Sequence, residues 1–158
     1  MELIAVAAVS ENGIIGRGGE LPWPSIPEDK HQYRNRVAGD PVILGRRTYE
    51  SMREELPGVQ QIVLSRDPAQ IDLAPTATGV RSVKEATAAA GNVEKAYVLG
   101  GGGAYELFFP VLDRLIISRI PGRYCGSVTF PAIDPNRWAC IAKESFHEFT
   151  LETWELRE

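Results

Sequence analysis

Apolar residues fall along this chain in short runs of strand length, separated by stretches of helical period. Leu3 to Val9 is the first run, closed by the turn-forming Ser10-Glu11-Asn12-Gly13. Val42 to Leu44, Ile62 to Leu64, Ala96 to Leu99 and Leu115 to Ile120 repeat the pattern. Each is almost continuously apolar instead of alternating, which is how strands covered on both faces of a parallel sheet read. Between the first two runs, Ser25-Ile26-Pro27-Glu28 reads as a capping box, with a Ser N-cap, Pro in the first turn and Glu reaching back. This predicts a helix from about Ile26. At about 100° per residue, Ile26, Tyr33 and Val37 share a stripe, and Asp29 falls within roughly 60° of its centre. A second helix is predicted over Arg46 to Arg53. Ser82-Val83-Lys84-Glu85 is another capping box, opening an Ala-rich helix to about Gly91. A fourth helix covers Ala104 to Phe109 and stops at Pro110. Residues 67–79 are rich in Pro, Asp and Thr and read as a loop. From Tyr124 on, only strand patterns remain: Ser127 to Phe130, Ala139 to Ser145 and Glu148 to Glu155.

Strands alternating with helices, then a strand-only tail, predict an α/β fold. A mixed, mostly parallel central sheet of about eight strands is flanked by about four helices and ends in an antiparallel C-terminal hairpin. No interior stretch resembles a linker, so residues 1–158 are expected to form one domain. The segment between the first strand and first helix holds Gly13, Gly16, Gly18 and Gly19 and runs into Leu21-Pro22-Trp23. A mobile flap and a plain long connection both fit that composition.

Charge narrows the function classes. The net charge is −4, with 44% hydrophobic and 24% charged residues. No basic face stands out, which argues against nucleic acid as a partner. No apolar run approaches the roughly 18 residues of a membrane span, and the N-terminus lacks a basic leader region. A cytoplasmic protein is expected. Cys125 and Cys140 are isolated, and His31 and His147 lie far apart, so neither a metal site nor a Ser-His-Asp triad is expected.

The candidate chemistry sits at strand ends. Tyr97-Val98-Leu99 runs into Gly100 to Gly103 and then a helix. Such a turn lets backbone N–H groups approach a phosphate, although close strand–helix packing alone would also use glycine. The ordinary dinucleotide fingerprint, with its spaced glycines and later acid, is absent. A second strand ends in Gly45-Arg46-Arg47-Thr48 and a third in Leu64-Ser65-Arg66. In open α/β sheets ligands bind beyond the carboxyl ends of strands. Glycine amides, hydroxyls and three arginines on that rim suit a dinucleotide carrying an extra phosphate, NADP over NAD. Asp29, in a first helical turn just after Trp23, is either an acid that favours the helix dipole or a carboxylate tilted into a pocket, where burial would raise its pKa.

Taken together these motifs resemble dihydrofolate reductase, from the first strand almost to the C-terminus. The resemblance rests on Ala7-Ala8, Ile15-Gly16, Leu21-Pro22-Trp23 followed by Asp29, and Gly45-Arg46-Arg47-Thr48-Tyr49-Glu50-Ser51. Leu56-Pro57-Gly58, Leu64-Ser65-Arg66, Gly100-Gly101-Gly102 with Tyr105, and Phe130-Pro131 complete it. The wording PWPSIPEDKHQYR is most similar to haloarchaeal members, although the mild acidity is unlike a salt-adapted surface.

The resemblance implies NADPH-dependent reduction of 7,8-dihydrofolate to tetrahydrofolate by a cytoplasmic, monomeric enzyme of one-carbon metabolism, of the kind antifolates target. It implies that Asp29 holds the pterin and favours protonation at N5 through a water that Trp23 helps place. Leu21 would belong to the solvent-excluding flap, and Tyr105 would lie near both reacting rings. Val6, Ala7, Leu99 and Ser118 would adjoin the pterin, with Ser118 backing up Asp29. Tyr33, Met52 and Leu56 would line the aminobenzoyl pocket. Ala8 and Ile15 would meet the nicotinamide carboxamide through their backbone. Gly45, Arg46, Arg47, Thr48, Leu64, Ser65, Arg66, Leu99, Gly101, Gly102, Gly103, Ala104 and Tyr105 would hold the rest of NADPH. Four positions depart from the family pattern. Val59 stands where an Arg usually binds the glutamate carboxylate, so either Lys30 or Arg34 takes that role or folate binds more weakly. Gly103 replaces a longer, often basic residue near the pyrophosphate, and Ser127-Val128 replaces an Asp-Thr pair that braces the flap. Two competing readings are an NADPH-dependent pyrimidine reductase of riboflavin synthesis and a non-catalytic NADP-binding protein. The Trp23 and Asp29 arrangement disfavours both.

Overall fold

The computed structural model describes residues 1–16 and 21–158. In chain order its strands are β1 (Glu2–Ser10), β2 (Ile14–Gly16), β3 (Pro41–Gly45), β4 (Gln60–Leu64), β5 (Ala77–Val80), β6 (Lys95–Gly100), β7 (Arg114–Ile120), β8 (Val128–Thr129), β9 (Trp138–Ser145) and β10 (Thr150–Leu156). The helices are α1 (Pro27–Val37), α2 (Arg46–Ser51), α3 (Val83–Ala90) and α4 (Gly102–Phe108). The main sheet has eight strands in the order β5, β4, β3, β6, β1, β7, β10, β9. All neighbours from β5 to β7 pair in parallel, whereas β10 runs antiparallel to both β7 and β9.

Parallel pairing explains the unbroken apolar runs, because both faces of the sheet are covered. Leu3, Ala5, Ala7 and Val9 of β1 face a cluster with Ala104, Phe108 and Trp138. Ile4 and Val6 face the other, with Trp23, Val37 and Tyr49. The chain steps outward from β3 to β5, then returns so that β6 inserts between β3 and β1. The carboxyl ends of β1, β3, β4, β6 and β7 therefore share one edge, with Ser10, Gly45, Leu64, Gly100 and Ile120 along it. A fold that reverses its winding at this point opens a crevice there.

Several expectations need correction. The N-cap of α1 is Ile26, with no side-chain cap, so Ser25 does not form a capping box. Pro27 takes the first helical position, where its fixed φ suits the helix and its missing N–H costs nothing. Asp29 rather than Glu28 is thus the third helical residue. Residues 67–79 are not all loop: Pro68–Gln70 form a 3₁₀ turn and β5 begins at Ala77. As an edge strand β5 has one polar flank, so it shows no apolar run. Ile14–Gly16, read as part of the glycine-rich connection, is β2, paired with β8. The flap reading also covers Gly18 and Gly19, which lie outside the described residues. α2 ends at Ser51, and α4 begins at Gly102 and ends at Phe108. Pro110 lies within a following 3₁₀ turn, Phe109–Val111. The capping box at Ser82 is formed: its Oγ accepts from Glu85 N at 3.1 Å. Among the described residues no helix is long and apolar enough to cross a membrane.

Candidate active site

Asp29 meets β7 from the first turn of α1. The Ser118 hydroxyl donates to Asp29 Oδ1 at 2.5 Å, and Gln32 Nε2 donates to the same oxygen at 2.9 Å. Ser118 is buried in the middle of β7, opposite Ala8 of β1. Asp29 itself is only half-buried. Its carboxylate is therefore anchored at one oxygen and keeps Oδ2 for another donor. Gln32 also approaches Ser118 Oγ at 3.4 Å, and its Oε1 is buried without a partner. An orphaned acceptor beside a half-satisfied carboxylate suits a heterocycle that presents several N–H groups.

Apolar side chains frame this acid. Trp23 is buried in the cluster that contains Val6, Leu99 and Ile116, with Ala8, Tyr33 and Leu56 packed against it. The Tyr124 ring meets the Trp23 indole edge-on at 5.4 Å. Asn12 ties Tyr124 down, its Nδ2 donating to Tyr124 O at 2.9 Å and its Oδ1 accepting from Tyr124 N at 3.1 Å. Burial pushes the Tyr33 phenol above its ordinary value; the Arg34 guanidinium opposes this, and the charges of Asp29 and Glu55 reinforce it. Met52 is half-buried, while Lys30 is exposed. Leu21 is exposed at the end of the undescribed segment. Ala7 points its side chain into the opposite cluster, so it can meet a ligand in this pocket only through its backbone.

The second half of the site is the glycine turn. β6 ends at Gly100, whose φ of +114° favours glycine, and the Gly100–Gly101 peptide is cis. The turn lies close to β3: a Cβ on Gly45 would come within 3.8 Å of Gly100 O and Gly101 N. Thr48 stands beside it, 3.5 Å from a Cβ built at Gly101, and nothing lies within 4 Å of one at Gly103. That open backbone can accept a phosphate. Arg46, Arg47 and Arg66 are exposed around it, and Ser65 is half-buried at the end of β4. Arg46 is paired with Glu50 at 2.7 Å. Ser65 Oγ accepts from Asp67 N at 3.1 Å. Leu64 and Ile15 pack against the core below, and Ala104 is buried in α4. These residues fit a phosphorylated dinucleotide.

Tyr105 joins the two halves. Its hydroxyl donates to Val6 O at 2.6 Å, and its ring packs at 5.0 Å from Phe130. Complete burial drives the phenol far above its ordinary value, so it stays protonated. Its proton is committed to Val6 O. β2 is held against β8 through Ile14 opposite Thr129 and Gly16 opposite Val128. Backbone pairing thus holds Ile14–Gly16 against the segment where Ser127-Val128 stands. Among the described residues no group of three or more His, Cys, Asp or Glu side chains is placed to hold a metal, and both cysteines are free.

Gln32 is a further residue of the site, beyond those expected from the sequence. Its signal is the three-residue helical spacing from Asp29, which lets an amide reach a carboxylate.

Comparison with known proteins agrees with this geometry. The family model for dihydrofolate reductase matches residues 2–156. A dihydrofolate reductase of Haloarcula marismortui is 36% identical over 98% of this chain and 91% of its own length. Another, of Haloferax volcanii, is 33% identical over 100% and 85%. The structure of the Enterococcus faecalis dihydrofolate reductase, complexed with NADP(H), superposes with a TM-score of 0.85 at 28% identity, covering 99% of this chain and 97% of that one. The chain belongs to the dihydrofolate reductase family and is an NADPH-dependent oxidoreductase.

Proposed function

We propose that residues 1–158 form one catalytic domain that reduces 7,8-dihydrofolate to 5,6,7,8-tetrahydrofolate, with Asp29 as the group that holds and polarises the pterin. The observation that carries this is the one-sided anchoring of Asp29, Oδ1 saturated by Ser118 and Gln32 and Oδ2 open. The open oxygen can take charge-assisted hydrogen bonds from the pterin 2-amino and N3 groups. NADPH supplies the hydride, from nicotinamide C4 to pterin C6. The protein's part is to orient the pterin and to favour a proton at N5. Asp29 does this through a water that Trp23 helps to place. Val6, Leu99 and Tyr105 form the floor, and Tyr33, Met52 and Leu56 flank the aminobenzoyl ring. Arg46, Thr48, Ser65, Arg66 and the amides of Gly101 to Ala104 hold the phosphates, with Arg47 beside them. Leu21 closes over the site with the flap. Tetrahydrofolate is the product one-carbon transfer consumes, so the reading includes that role for a monomeric cytoplasmic enzyme.

The test is loss of NADPH absorbance with three substrates in turn. Oxidation with dihydrofolate alone supports the proposal. Oxidation only with a ribosylamino-pyrimidine would assign the chain to the riboflavin-type reaction. NADPH binding with no turnover would make it a binder.

A further inference from the structure

Trp23 lies in the irregular stretch between the undescribed segment and α1, so no helix or strand ladder fixes its ring. Packing has to do so, and one side of the indole is covered from far along the chain by Tyr124, whose ring meets it at 5.4 Å and 65°. Tyr124 belongs to residues 121–127, between β7 and β8, a stretch with no regular structure. It is the one residue of that stretch that is not exposed. Asn12, in the turn after β1, holds it as a strand partner would. Its Nδ2 donates to Tyr124 O at 2.9 Å and its Oδ1 accepts from Tyr124 N at 3.1 Å. The same Oδ1 accepts from the Ser10 hydroxyl at 2.7 Å, and that oxygen accepts in turn from Ile14 N at 2.9 Å. Glu11 N adds a bond to Gly122 O at 3.1 Å. With both lone pairs of Oδ1 and one N–H committed, the Asn12 amide has a single orientation, and so does the backbone it grips.

Resting on the dihydrofolate reading, in which Trp23 helps place the water that favours a proton at N5, we propose that Asn12 and Tyr124 are positioning residues for that proton. They act through the indole and not on the pterin. Asn12 fixes the backbone of Tyr124, Tyr124 fixes the plane of the indole, and the indole fixes where the water stands beside Asp29. The contact is between rings, so the Tyr124 hydroxyl is dispensable to it. The titratable groups coupled to Asp29 are Tyr33 of α1 and Tyr105 of α4, and burial raises both phenols. Arg34 and Glu55 act in turn on Tyr33. Substitutions at positions 12 and 124 alter none of these, so the ratio of variant to wild type isolates the placement of the water.

The test is the single-turnover rate of NADPH oxidation with dihydrofolate, near pH 8 and near pH 5.5, with a second reading from fluorine NMR of protein carrying 5-fluorotryptophan. Solvent supplies the proton directly in acid, so a loosely placed water costs rate only at the higher pH. In Y124L the rate should fall about fivefold near pH 8, the scale of one lost edge-on aromatic pair, and less than about twofold near pH 5.5. N12A should do the same, and the two together should cost no more than Y124L alone. Y124F, which restores the ring, should recover the rate that Y124L loses. The Trp23 resonance, identified by its loss in W23F, should move in Y124L and in N12A and return in Y124F. An equal loss at both pH values, no loss near pH 8, or an unmoved Trp23 resonance in N12A each overturns the proposal. N12D keeps the size of the side chain but sets an acceptor against Tyr124 O. It should follow N12A, and it keeps the test open if Y124L fails to fold. Failure of the wild-type protein to reduce dihydrofolate would reject the underlying function instead, while the resonance would still report whether Asn12 and Tyr124 hold the indole.

Discussion

The Ser118 hydroxyl reaches across 89 residues of chain to donate to Asp29 Oδ1, and this bond decides which oxygen of the acid is left open. With Gln32 on the same oxygen, the carboxylate cannot turn without losing two donors. Ser118→Ala leaves the acid present but less well oriented. A hydrogen bond to a charged group contributes about 1.5 kcal/mol or more, so kcat/KM for dihydrofolate should fall about tenfold. Steady-state kinetics read this directly, and a wild-type value in the variant would show that orientation does not depend on the hydroxyl.

Removing the charge is more severe than loosening it. Asp29→Asn keeps the size of the side chain and can still hydrogen-bond, but cannot help place a proton at N5. Positioned acid–base groups contribute on the order of 10² to 10⁴ in rate, and a loss of that size is expected at neutral pH. Solvent protonates the substrate directly in acid, so the variant should recover in part as pH falls. An Asn variant as fast as wild type at pH 7 would remove Asp29 from the mechanism.

Tyr105 is expected to set an alkaline limit on the fold. Its phenol is buried and bonded to Val6 O, and its folded pKa is raised above the ordinary value near 10. A raised folded pKa means the folded state keeps a proton that the unfolded chain releases. This stabilisation is complete below about pH 10 and declines as pH rises beyond it. Tyr105→Phe leaves Val6 O without its donor and should cost about 1–3 kcal/mol at pH 8. Urea unfolding at several pH values should show the gap between variant and wild type narrowing above pH 10. A gap that stays constant to pH 11 would place the alkaline loss in another group.

Two serines show what local sequence can and cannot say. Ser82 and Ser25 each begin a four-residue box ending in Glu, and only Ser82 caps its helix. Pro27 accounts for the difference by taking the first helical position and moving the cap to Ile26. Ser82→Ala should therefore cost about 1 kcal/mol in chemical denaturation, and Ser25→Ala close to nothing; equal losses would contradict the assignment of both caps. The parallel core was legible because two-sided burial writes unbroken apolar runs, as in Ile62 to Leu64. β5 was not, because an edge strand buries too little to leave a pattern. The lean of Asp29 toward the sheet, where it meets Ser118, was legible from its angle to the Ile26, Tyr33 and Val37 stripe. The Trp23–Tyr124 contact was not, because nothing in the spacing from Trp23 to the segment after β7 says that they meet.

Gly103 offers the most direct test of the cofactor site, because the protein itself makes no demand there. It lies in the first turn of α4, exposed, with nothing within 4 Å of a built Cβ. A longer side chain can be accommodated without moving a neighbour, and replacing helical glycine favours the helix by up to about 1 kcal/mol. Gly103→Arg should therefore fold at least as well as wild type. If Gly101 to Ala104 cradle the pyrophosphate, the new guanidinium adds a partly exposed charge contact of about 0.5–1 kcal/mol, and the NADPH Kd should fall two- to fivefold. The gain should shrink in high salt, as expected for an exposed ion pair. Gly102→Arg is the contrasting case, since a Cβ there would press to 2.5 Å from Val128 Cγ1 and disturb β8, which pairs with β2. Fluorescence titration of both variants separates the effects. Unchanged NADPH affinity in Gly103→Arg at low salt, with the fold intact, would move the phosphates away from this turn.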